Sequence, residues 1–85
     1  MYHENEIINE WVKMLLESNG VAEIKELTAE MIDEEVDNTL CTARNEHLWA
    51  LGAPTSEASE MHKDNEETLK EYAEILRQLN GNRSA

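Results

Sequence analysis

Strong chain breakers are few in this sequence, and their positions constrain the fold more than any other feature. Gly20, Gly52, Pro54 and Gly81 are its only glycines and prolines, and they leave three long stretches uninterrupted. Within those stretches apolar residues recur every three or four positions, the period of a helix with one dry side. Strand-type alternation of β-branched residues appears nowhere, and phenylalanine is absent. The sequence therefore predicts an all-α fold.

The first helix is expected over about 4–18, closed by Asn19 and a left-handed Gly20. At roughly 100° per residue, Ile7, Ile8, Trp11, Val12, Met14 and Leu15 spread over about half of its circumference. A dry face that broad predicts contact with two other helices, or with one helix and a second chain. A short helical segment at about 21–27 carries Ile24 and Leu27 inward. The apolar spacing then jumps from Leu27 to Ile32, so the chain breaks at Leu27–Thr28 and Thr28 caps the next helix.

That second helix is predicted over about 29–51, with a core stripe of Ala29, Ile32, Val36, Leu40, Ala43, His47 and Ala50 or Leu51. The third, over about 57–79, is capped by Thr55 or Ser56 and ended by Asn80 and Gly81. Its core positions are Ala58, Met61 or His62, Asn65, Leu69, Tyr72, Leu76 and Leu79. So short a connection between two long helices makes them antiparallel neighbours. The expected product is a three-helix bundle with a long helical hairpin. One helical domain spans 1–81, and 82–85 form a frayed tail.

Charge narrows the function. Nineteen acidic residues against seven basic ones give a net charge of −12. Such a surface repels phosphate, which argues against direct nucleic-acid binding and against a polybasic membrane anchor. No apolar run is long enough to span a bilayer, and Met1–Glu10 lacks the features of a secretory signal. The single cysteine, Cys41, excludes an intrachain disulfide and fits a reducing, cytoplasmic setting.

The acid is patterned. Glu57, Glu60, Asp64, Glu67, Glu71 and Glu74 form one stripe on the third helix, each step rising roughly 5 Å along its axis. That approximates the spacing of phosphates along a nucleic-acid strand, so the stripe can mimic one towards a basic protein. It is equally the solvated face that an amphipathic helix needs, with Glu66 and Lys70 offering a pairing one turn apart. The second helix is acidic at its start and charge-poor afterwards. From Asn38 to Leu51 its back carries Asn38, Cys41, Thr42, Asn45, Leu48 and Trp49, with Arg44 and Glu46 the only charges. Solvated helix faces are rarely so neutral, so this half is expected to be enclosed on more than one side. Trp49 is either covered by the first helix or anchors a protein interface.

Three further constellations bear on chemistry. Carboxylate pairs three residues apart, Glu23/Glu26, Glu30/Asp33 and Glu34/Asp37, point the same way on a helix and can share a hard cation such as Mg²⁺. Over these residues the chain resembles all-α nucleotide pyrophosphohydrolases of the MazG type, which use paired motifs of this form from adjacent helices. The resemblance implies metal-dependent nucleotide hydrolysis or nucleotide sequestration; no basic cluster for a triphosphate accompanies it. His47 and His62 fall at similar heights in the hairpin, with Asn65 one turn beyond. They predict a hydrogen-bonded layer that fixes register, or a Zn²⁺ or pH-sensitive site completed by Glu46 or Glu66. Cys41 has no catalytic companion and reads as a small apolar filler.

No arrangement of these residues assembles an enzyme, and no cofactor is expected. The sequence favours a small acidic interaction module, an inhibitor or adaptor docking on a protein partner, with a basic, nucleic-acid-handling protein the best match to its charge. In charge and size it resembles compact acidic proteins of phages and mobile elements that block nucleases. Self-association as a homodimer is expected through the neutral half of the second helix. A ligand- or metal-binding helical protein, with His47, His62, Glu30, Asp33, Glu34 and Asp37 as ligand candidates, is the alternative. A purely structural oligomer subunit is the third.

Overall fold

A computed structural model describes residues 3–83. Three α-helices fold as α1 (Glu6–Ser18), α2 (Ala29–Leu51) and α3 (Ser56–Arg83), with one 3₁₀ turn, Ile24–Glu26, between α1 and α2. No strand occurs among the described residues. The shape is a rod of 44 × 22 × 22 Å.

Local chemistry explains each boundary. The Asn5 side chain accepts the Ile7 N–H at 2.9 Å and starts α1. At the other end Gly20 takes φ 67°, Gly20 N–H donates to the Glu17 carbonyl and Val21 N–H to that of Leu16. This is a Schellman closure, and it turns Val21 back onto the core. The Glu26 carboxylate accepts the N–H groups of Ala22 and Glu23, both at 2.8 Å. Those bonds, Glu23 first, hold its carboxyl below the usual range. Thr28 caps α2 through Met31 N–H, and Thr55 caps α3 through Ala58 N–H, each at 3.1 Å. Ser59 Oγ then donates to the Ala50 carbonyl and ties the start of α3 to the end of α2.

The core lies at the open end of the hairpin, away from the bend. Ile8, Val12, Leu15 and Leu16 of α1 meet Ile32 and Val36 of α2 and Tyr72, Ala73 and Leu76 of α3, with Ile24 and Leu27 closing the end. Trp11 sets its ring edge-on to Tyr72 at 5.4 Å. Burial pushes the Tyr72 phenol well above its ordinary pKa, and the charge and hydrogen bond of Glu35 push it the same way.

Several core expectations are corrected. Ala29, His47 and Asn65 are exposed; of the paired alternatives, Ala50 is buried and Leu51 72% exposed, and His62 is half-buried and Met61 exposed. In their place Thr39 and Ala73 are buried, Thr39 donating its hydroxyl to the Glu35 carbonyl. For the positions towards the bend the reason is the length of α1, whose thirteen helical residues span only about 20 Å; Ala29 stands in the first turn of α2. Beyond Leu40 on α2 and before Tyr72 on α3, Ala43 and Ala50 are the only buried side chains among the described residues. The bend half is a two-helix ribbon without a third layer. At the far end α3 runs through Asn80 and Gly81 to Arg83, so Asn82 and Arg83 are helical rather than frayed; residues 84–85 lie outside the described part.

Candidate functional site

The bend half is pinned by two histidine–carboxylate pairs with exchanged roles. His62 of α3 donates from Nδ1 to Glu46 of α2 at 2.5 Å, and His47 of α2 donates from Nδ1 to Glu66 of α3 at 3.1 Å. Lys70 adds a second contact to Glu66 at 2.8 Å. Hydrogen bonding by Lys70, and then by His47, holds the Glu66 carboxyl below the usual range against the opposing effect of burial. The sequence-predicted polar layer is thus present as paired hydrogen bonds, although His47 sits at the edge of the seam and Asn65 outside it. The Trp49 ring lies 5.7 Å from that of His62, tilted by 57°.

Along one side of the hairpin runs an apolar groove of about 360 Å³. Trp11, Met14, Leu15 and Ser18 of α1, Asn38, Thr39 and Thr42 of α2, and Leu69 and Tyr72 of α3 line it, with Glu35 of α2 its one charged side chain. It opens where α1 ends. Asn38, Thr42, Asn45 and Trp49 follow one another at helical spacing, so the neutral side of α2 continues from this groove towards the bend. All four are exposed, Trp49 by 55%, and Met61 of α3 is exposed as well. The expectation that this half is enclosed is therefore corrected for the chain by itself: α1 stops short of it. Of the two roles foreseen for Trp49, cover by the first helix is removed. Cys41 is exposed on the same half of α2, not a buried filler.

Glu57, Glu60, Asp64, Glu67, Glu71 and Glu74 are all exposed on α3. Glu71 receives His3 Nε2 at 3.9 Å, from the segment that leads into α1. The metal candidates of α2 are scattered differently. Glu30, Asp33, Glu34 and Asp37 are all exposed, and the Asp33 carboxylate accepts the Asn80 amide at 3.4 Å. Glu26, a member of the first acidic pair, is occupied by its own turn. Among the described residues no three His, Cys, Asp or Glu side chains are grouped closely enough to hold a metal ion. No described helix is long and apolar enough to cross a membrane.

A second groove, of about 430 Å³, runs along the other side of the bend half between Leu40, Ala43, Arg44, His47, Glu66 and Lys70. Sequence reasoning missed it. Its signal was Leu40 beside Arg44 on one helix and Lys70 at matching height on the other, and neither cation stands out alone.

Compared with protein families, with curated proteins and with solved structures, the chain matches none of them.

Proposed function

We propose that this protein is a small acidic interaction module that docks on a basic, nucleic-acid-handling protein as an inhibitor or adaptor. The observation that carries this reading is the neighbourhood of two unlike surfaces in the bend half. A neutral strip with Trp49 at one end lies open beside a row of exposed carboxylates. Trp49 is 55% exposed on a stretch whose only charges are Arg44 and Glu46, and tryptophan dominates the energetics of many interfaces. The carboxylate row supplies long-range attraction to a cationic groove and raises the encounter rate, while the neutral strip supplies the short-range contact.

The test is binding to a panel of purified DNA-binding proteins with basic clefts, set against neutral and acidic controls. The reading predicts selective binding to members of the basic set, displaced by duplex DNA and weakened steeply as salt rises from about 50 to 200 mM. Binding indifferent to both salt and DNA removes the mimicry and leaves docking by shape. Absence of any binder at low salt overturns the proposal.

A further inference from the structure

We infer that the neutral strip is the seat of one amphipathic helix of the partner, laid in line with α1 and carrying lysine or arginine along its α3 edge. The inference deepens the reading above and rests on it. The chain's own α1 shows what this side of the hairpin accepts: a helix, apolar side down, with its edge aromatic against Tyr72. The Gly20 turn leads to Ile24 and Leu27 at the open end, so the end of α1 that faces the bend is its start, where His3 stands beside Glu71; further towards the bend Asn45 and Trp49 are exposed. From Thr42 to Trp49 this side extends for about 10 Å, room for roughly two turns of a second helix.

The rim identifies the charge of that helix. Glu57, Asp64 and Glu71 stand seven residues apart on α3 and therefore share one edge. Glu71 already receives the His3 imidazole from the segment entering α1. A helix lying beyond α1 meets Asp64 and Glu57 in the same way, and cations are the side chains they attract. The opposite rim, on α2, carries exposed Cys41 and Leu48, so it offers no charge to a partner. A second copy of this chain, itself at −12, brings no excess of cations to that edge.

The probes are three synthetic peptides of about four helical turns: a basic amphipathic helix, a scrambled isomer of identical composition, and the same amphipathic helix with Glu in place of its cations. Fluorescence anisotropy measures their binding to the full chain and to its T42R, W49A and E57Q/D64N variants. The basic amphipathic peptide is expected to bind at least about tenfold more tightly than either control. T42R and W49A remove that preference, and E57Q/D64N narrows it; Thr42 and Trp49 are exposed, and circular dichroism verifies each fold. Equal binding of the scrambled isomer overturns the helix seat while leaving charge-driven docking in place. Equal binding of the acidic peptide overturns the role of the rim. If no peptide binds and sedimentation gives a dimer that T42R dissociates, a second copy occupies the strip and the inference falls. If no peptide binds and the chain is monomeric, it falls as well, and binding in the protein panel decides separately whether the docking function stands.

Discussion

His62 of α3 reaches Glu46 of α2 across the hairpin at 2.5 Å, and His47, the next residue of α2, returns the contact to Glu66, one turn further along α3. A slip of one helix past the other by a single turn breaks both bonds together. These pairs therefore fix register in the part of the rod where the apolar core is thinnest.

Removing one member of a pair leaves the other without its partner. Glu46→Ala is expected to lower stability by about 1–2 kcal/mol in urea denaturation. The double change Glu46→Leu with His62→Leu costs less than the sum of the single changes, with a coupling of about 1 kcal/mol. Strict additivity of the two changes contradicts a register role.

Burial, not periodicity, decides the cost of truncation. Leu76→Ala, at a fully buried position, is expected to cost about 2–5 kcal/mol. Leu51→Ala, at a residue left 72% exposed beside the bend, is expected to change stability by no more than about 0.5 kcal/mol. Equal losses at the two sites, measured by chemical denaturation, contradict the two-layer description of the bend half.

Acid should undo the contribution of Glu66. Its folded pKa lies below the ordinary 4.5, so the stabilisation is present in full above that value and is lost as pH falls through the lowered one. The difference in melting temperature between wild type and Glu66→Gln is therefore expected to hold from neutral pH to about 5 and to shrink below 4.5. Taking the difference cancels the relief of repulsion among the other carboxylates, which acid also brings. A gap that widens on acidification contradicts the assignment.

Alkali acts through Tyr72. Its folded pKa lies above the ordinary 10, so the associated stability is complete below 10 and is lost as pH rises further, because the unfolded chain ionises first. In a Tyr2→Phe background, where Tyr72 is the one remaining phenol, its ionisation, followed by ultraviolet absorbance, is expected to coincide with loss of helical ellipticity. Ionisation near 10 with the helices intact shows an accessible phenol and contradicts the packing against Trp11.

The helices, their caps and their antiparallel pairing were legible because they depend on local signals. Thr28 and Thr55 cap where the side-chain chemistry indicates, and Gly20 takes the left-handed turn. Burial was harder to read. Periodicity leaves Ala50 or Leu51, and Met61 or His62, open as dry positions, and Leu51 and Met61 are exposed, whereas Leu76 has a third element over it. What decides is the reach of α1, a property of tertiary arrangement that no single helix records. The partnering of the histidines with Glu46 and Glu66 was within reach, since hairpin geometry already puts these positions at one height. The exposure of Asn38, Thr42 and Trp49 was not, because a neutral helix face looks alike whether its cover is in the chain or outside it.

The docking surface is tested most directly by titrating the ¹⁵N-labelled protein with the tightest basic binder of the panel and mapping the amide shifts. The account predicts that the largest changes fall within 38–49 of α2 and 57–71 of α3, leaving 30–37 and the outer side of α1 unmoved. Shifts centred on 30–37, or spread evenly over all acidic residues, would contradict it.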